Sequence, residues 1–122
     1  MDLSGGASRA YIKYSAVPEP ANSLVFVEEA DPRNYNLGTW VIDVNPPGWV
    51  DPFAIFHGNW STLSFADNHA EGHTWRDPAT VKAATDSANG KYSFFWTGGT
   101  GKNPDFRFVW DRFKHQAWKP LP

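Results

Sequence analysis

Hydrophobic and polar positions divide the chain into short extended runs followed by two short helical ones. The runs 24–29 and 39–44 are rich in β-branched and aromatic residues, so each predicts a strand. Two further runs flank Asp67-Asn68 within 59–75, and this arrangement predicts a β-hairpin.

Asp and Asn both tolerate left-handed backbone, so Asp67-Asn68 predicts a two-residue type I′ turn. In that register Trp60 faces Trp75 across the hairpin. One face of the predicted hairpin is apolar, with Leu63, Phe65, Ala70 and Gly72. The other is polar, with Thr62, Ser64, His69, Glu71 and His73.

Two helices are predicted after the hairpin. Asp77 and Asn103 are each followed by Pro, which is the cap-plus-proline start of a helix. The predicted helices span about 77–85 and 104–115, and the second presents an apolar stripe to the sheet. The stripe consists of Phe106, Val109, Trp110 and Phe113.

These elements predict an α+β fold in one domain of 122 residues, with much loop. The predicted sheet is small and antiparallel, and it contains the 24–29 strand, the 39–44 strand and the central hairpin. Residues 1–9 and 116–122 are predicted to be poorly ordered tails, although Trp118 suits docking of the second tail onto the domain.

Composition removes several classes of function. The 11 basic and 13 acidic residues nearly balance, so we expect no nucleic acid and no anionic membrane as partner. There is no cysteine, which excludes disulfides and thiolate metal sites. No apolar run is long enough to span a membrane and no signal segment is evident, so a soluble chain without membrane contact is expected.

The polar face of the hairpin holds the candidate metal ligands Asp67, His69 and Glu71, which alternate along one strand. His69 and His73 lie about 13 Å apart along an extended strand, too far to share one ion. A divalent metal ion would therefore need His69 or His73 with Glu71 and a further segment. The alternative is a solvated polar face with no cofactor.

Catalytic candidates lie in the same stretch. Glu71 is the first choice for an acid or base, assisted by His69 and His73, in a small polysaccharide hydrolase. There is no Gly-x-Ser-x-Gly motif for a serine nucleophile. The alternative is that these are ordinary surface carboxylates and imidazoles.

The chain has seven Trp, nine Phe and four Tyr, more aromatic side chains than an ordinary core needs. Indole rings stack on sugar rings, so Trp60, Trp75 and Trp40, with His57 at the mouth of the hairpin, are candidates for a glycan-binding platform. Core filling is the alternative explanation.

The same stretch resembles a known family. His57 is followed by nine residues and then Asp67-Asn68, and Phe65-Ala-Asp-Asn-His-Ala-Glu71 precedes Trp75. This pattern resembles the prepilin-type processing-associated H-X9-DG domain, with Asn68 where that family has Gly. The resemblance extends from about residue 9 to about residue 112.

The resemblance implies a pilin-like or pseudopilin-like globular head with a structural or adhesive role, displayed on the outer side of a bacterial membrane. The implied partners are other pilin-like subunits. Members of this family begin with a hydrophobic anchor helix that Met1–Gly6 does not provide. An omitted anchor, a fragment and a released domain are the alternatives. A carbohydrate-active protein, with a polysaccharide as partner, is the alternative function.

Overall fold

A computed structural model describes residues 11–32, 40–91 and 100–122. Five strands lie in this part of the chain: β1 (Leu24–Val27), β2 (Ile42–Val44), β3 (Pro47–Trp49), β4 (Trp60–Phe65) and β5 (Ala70–Thr74). They are followed by helices α1 (Pro78–Ala88) and α2 (Pro104–Arg112), and short 3-10 turns at Tyr14–Ala16 and Pro20–Asn22 precede β1. The predicted α+β class is confirmed. The predicted tail 1–9 and Thr39 of the second predicted strand lie outside the described residues.

The main sheet has three antiparallel strands in the order β1-β4-β5, so β4 is central. The prediction that the 39–44 strand joins this sheet is wrong. β2 instead pairs with β3 in a separate two-stranded sheet, in which Ile42 faces Trp49. The chain reverses at Asn45-Pro46 and pairs back on β2, so Pro47 and Gly48 belong to strand β3.

The hairpin exists, but its predicted register is wrong by one residue. Trp60 faces Thr74, Leu63 faces Glu71 and Ser64 faces Ala70. The turn is longer than predicted: the amide of Asn68 donates to the Phe65 carbonyl at 3.0 Å, and the Phe65 amide donates to the His69 carbonyl at 3.0 Å. Three residues thus connect the strands. A one-residue slip moves every side chain of β5 to the opposite face.

Both predicted helix starts are confirmed. Asp77 caps α1 by accepting from the Thr80 amide, and Asn103 caps α2 by accepting from the amides of Asp105 and Phe106. α1 continues to Ala88, beyond the predicted end, whereas α2 ends at Arg112, before it.

The core is built around Trp49, which is 1% exposed. Its ring contacts Phe53 at a centroid distance of 5.4 Å and Phe106 at 4.9 Å. Phe53 in turn stacks on Trp75 at 4.0 Å. The predicted stripe of α2 packs on this cluster, with Phe106, Val109 and Trp110 buried and Phe113 partly buried. Aromatic rings therefore fill much of the core.

The C-terminal segment packs against α2, which differs from the tail expected over 116–122. Trp110 donates its indole N–H to the Lys119 carbonyl at 2.8 Å, and Trp118 donates its own to the Trp110 carbonyl at 2.8 Å. Leu121 is 7% exposed and joins the core cluster. Trp118 docks the segment as its aromatic character suggests.

Neither helix in the described ranges has the length and apolar character that crossing a bilayer requires.

Candidate binding site

The tip of the hairpin is shaped by the backbone of Asn68, whose φ is 73°. Ala66 and Asp67 form the centre of the turn, and Asn68 follows in the left-handed conformation. Three-residue hairpin loops of this kind combine a type I turn with a left-handed residue that is usually Gly. Asn is among the non-Gly residues that adopt this conformation most readily, so the turn forms with Asn in place of Gly.

His69 lies between two carboxylates. Its Nδ1 is 2.5 Å from Asp67 Oδ1, and its Nε2 is 3.8 Å from Glu71 Oε2. Hydrogen bonds from the His69 imidazole and the His69 amide hold the pKa of Asp67 below its ordinary value. The imidazole also stacks on Phe65 with a centroid distance of 4.5 Å. Asp67 therefore orients the ring as well as supporting the turn.

His73 is held away from this group. Its Nε2 is 3.4 Å from Oδ1 of Asp105, and its ring stacks on Phe108 at 3.8 Å. The register pairs His73 with Ser61 and Glu71 with Leu63, so the expectation that they share a solvated polar face with Thr62 and Ser64 is wrong.

Asp105 is 1% exposed and joins the hairpin to the starts of both helices. Its Oδ2 accepts from the amides of Arg76 at 2.8 Å and Asp77 at 2.7 Å. Burial by itself would raise the pKa of Asp105, but the hydrogen bonds from His73, Asp77 and Arg76 outweigh it and hold the pKa below the ordinary value. These contacts suit a structural role for the carboxylate.

No group of three His, Cys, Asp or Glu side chains able to hold a metal ion occurs in residues 11–32, 40–91 and 100–122. His69 Nδ1 is at hydrogen-bonding distance from Asp67 Oδ1, 2.5 Å, whereas Glu71 Oε2 lies 3.8 Å from Nε2, a distance that suits an ion pair but not a hydrogen bond. The divalent metal ion proposed for Asp67, His69 and Glu71 stays a prediction.

Trp60 lies flat across the neighbouring strand. A Cβ atom at Gly72 would overlap the Cζ2, Cε2 and Nε1 atoms of the Trp60 indole, so only glycine admits the ring there. Trp60 is 37% exposed, and His57 approaches its edge with a centroid distance of 6.0 Å. The indole therefore has one ring face against the strand and is partly exposed to solvent.

Trp75 and Trp40 do not join this surface. Trp75 is fully buried and donates its indole N–H to Ser61 Oγ at 2.7 Å. Trp40 packs against the core, 6.3 Å from Trp49 and 6.0 Å from Phe113 between ring centroids. The predicted Trp60–Trp75 pair is wrong because the shifted register puts the two side chains on opposite faces of the sheet.

A groove of about 450 Å³ lies between the 3-10 turn at 14–16, strand β1 and the hairpin tip. Tyr14, Val25 and Phe26 form an apolar wall and are 62%, 50% and 72% exposed, respectively. Asn68 and His69 supply polar groups on the hairpin side. Large, exposed apolar side chains gathered beside a groove are typical of a contact surface.

Tyr14, Phe26 and Asp105 are not among the site residues predicted from the sequence. The β-branched and aromatic run of β1 is typical of a buried strand, but its pairing shifts between Leu24 and Phe26, and this irregularity leaves Val25 and Phe26 both exposed. No sequence signal marks the bulge. Asp105 is recognisable only as an acidic residue in the first turn of α2, a position at which aspartate is common.

No family model matches this chain, and no curated protein or solved structure matches it either. The resemblance to the H-X9-DG domain therefore stays a prediction.

Proposed function

We propose that this chain is a non-catalytic binding domain, the globular head of a pilin-like protein with a structural or adhesive role. The observation that supports the proposal most directly is the exposed apolar wall of the groove at the hairpin tip. Tyr14 and Phe26 hold large aromatic surfaces in water, which costs solvation free energy unless a partner covers them.

The positions of the three candidate catalytic residues agree with a binding role. The His73 ring contacts Asp105 and Phe108, whereas His69 and Glu71 lie 3.8 Å apart between Nε2 and Oε2. The H-X9-DG resemblance adds the expected setting, the outer side of a bacterial membrane, and the expected partners, which are other pilin-like subunits or a polysaccharide.

The proposal is tested by retention of the labelled domain on three surfaces: insoluble cell-wall polysaccharide, whole bacterial cells and an immobilised second copy of the chain. We expect at least one surface to retain the wild type. The double variant Tyr14→Ser/Phe26→Ser should lower retention at least tenfold, because it removes the apolar wall. Ile12→Ser is the matched control, since Ile12 is 90% exposed and does not line the groove.

Two outcomes would contradict the proposal: no retention on any surface, or equal retention of the wild type and the double variant. Glu71→Ala separates binding from hydrolysis. A hydrolase would release sugar from polysaccharide and lose that activity in Glu71→Ala, whereas the binding domain would release none and keep its retention.

A further inference from the structure

The outer face of the three-stranded sheet carries a strip of side chains, most of which lie outside the groove at the hairpin tip. The register places Trp60 opposite Thr74, and Ser64 between Ala70 on β5 and Phe26 on β1. Residues 60, 62 and 64 share this face, because alternate side chains of a strand point the same way. We call the following set the outer strip: Trp60, Thr62, Ser64, Phe26, Gly72 and Thr74.

The outer strip has an aromatic ring at each end and small side chains between. Trp60 and Ser64 are four residues apart on β4, or about 13 Å along the strand. The Trp60 indole extends over Gly72, and Thr62 and Ser64 contribute hydroxyl groups next to it. The strip therefore carries two exposed aromatic rings, those of Trp60 and Phe26, with hydroxyl side chains between them.

The outer strip contains no charged side chain. At its edge the Glu28 carboxylate accepts a hydrogen bond from the Thr62 amide at 3.0 Å, in the position where a further residue of β1 would supply a carbonyl. The chain has a net charge of −2. The Glu28 carboxylate and the negative net charge disfavour a polyanion along the strip, and the uncharged side chains of the strip favour a neutral ligand.

Sugar chains match this chemistry. A pyranose ring presents apolar C–H faces, which stack on aromatic rings, and hydroxyl groups at its rim, which exchange hydrogen bonds with hydroxyl side chains. We infer that the outer strip binds an extended, neutral polysaccharide, with sugar rings stacked on Trp60 and Phe26 and hydroxyl groups bonded to Thr62 and Ser64. This inference rests on the proposed binding function and names its ligand class.

Affinity electrophoresis in native gels tests the inference, with hydroxyethylcellulose or galactomannan as the neutral probe and carboxymethylcellulose as the anionic one. A neutral probe should retard the wild type, and the anionic probe should retard it less. Trp60→Ala should weaken the interaction at least tenfold, whereas Trp60→Phe keeps a flat ring and should retain part of it. Ile12→Ala, outside the strip, should behave as the wild type.

A measurement on the unmodified chain guards against variants that fail to fold. The indole N–H resonance of Trp60 should shift when hydroxyethylcellulose or galactomannan is added, while that of the buried Trp75 should stay in place. The inference is overturned if neither neutral probe retards the wild type, or if Trp60→Ala is retarded equally. If surfaces still retain the domain in that case, the binding function stands and only the polysaccharide assignment falls.

Discussion

Asn68 sets the register of the hairpin through its own backbone conformation. With φ at 73° it takes the left-handed position of a three-residue loop, and the amide of His69 also donates to Asp67 Oδ1 at 3.2 Å. An L-residue other than Gly, Asn or Asp pays about 1–2 kcal/mol to adopt left-handed backbone. The turn therefore depends on the residue type at this one position.

Asn68→Ala should lower the free energy of unfolding by about 1 kcal/mol, because alanine lacks the local hydrogen bonding that lets asparagine tolerate positive φ. Asn68→Gly should be at least as stable as the wild type. Urea unfolding measures both. Asn89→Ala is the matched control: Asn89 has a φ of −92°, and its exposed side chain makes one hydrogen bond, to the Thr85 carbonyl, so alanine there should change stability by at most about 0.5 kcal/mol. Equal effects of alanine at the two asparagines would contradict this account.

At the scale of the element, the hairpin is stabilised by an aromatic side chain lying over a glycine on the neighbouring strand. Trp60 covers Gly72, its diagonal neighbour, while its direct partner is Thr74. Close packing of this kind leaves no room for even one additional methyl group. The position of the indole is consequently a property of the strand pair.

Gly72→Ala should displace the Trp60 ring and lower the free energy of unfolding by about 1–3 kcal/mol. The indole N–H resonance of Trp60 would report the displacement directly. Gly48→Ala is the control, since a Cβ there has its nearest neighbour, Asp43 Cβ, at 3.9 Å. An unchanged Trp60 resonance in Gly72→Ala would show that the packing described here is wrong.

At the scale of the whole molecule, a buried polar network joins the hairpin to the starts of both helices. Asp105 binds the amides of Arg76 and Asp77, and the side-chain amide of Asn103 donates to Thr80 Oγ1 at 2.9 Å. A buried carboxylate with several donors is costly to disrupt, because every donor is left unpaired.

Asp105→Asn should lower the free energy of unfolding at pH 7 by about 2–3 kcal/mol, because an amide cannot replace the carboxylate as acceptor for all its donors. The pKa of Asp105 is lowered in the folded chain, below the unfolded value of about 3.9. Its ionised form thus stabilises the fold above about pH 4, and this contribution is lost as the pH falls through the folded pKa.

Urea titrations from pH 7 to pH 2 measure this contribution. The loss of stability in acid should be shallower in Asp105→Asn than in the wild type. Asp43→Asn, at an exposed position of β2, should follow the wild-type profile. Parallel acid profiles for Asp105→Asn and the wild type would refute the role assigned to Asp105.

The C-terminal segment packs against α2 and contributes Leu121 to the core. Leu121→Ala should cost about 2–3 kcal/mol, since Leu121 is 7% exposed and belongs to the core cluster. Lys119→Ala is the control, because Lys119 contributes its carbonyl to Trp110 and its side chain is exposed. Thermal unfolding compares the two, and an equal effect would mean that the segment does not dock as described.

Elements with local signals are predictable from the amino-acid sequence. Asp77-Pro78 and Asn103-Pro104 fix helix starts because a side-chain oxygen satisfies free amides and proline loses nothing at the first helical position. The spacing of Phe106, Val109 and Trp110 determined the buried side of α2 for the same reason, since helical periodicity depends on neighbouring residues alone. The existence of the hairpin likewise follows from its turn residues.

Which face of each strand is buried depends on contacts between distant segments of the chain. Asp67-Asn68 is compatible with a two-residue loop and with the three-residue loop that forms, and the choice between them reverses β5 and separates Trp60 from Trp75. The bulge at β1, the turn of β2 back onto β3 and the binding of His73 by Asp105 also depend on contacts between distant segments. Local propensity carries no information about such contacts, so the groove and the outer strip emerge only once the chain is folded.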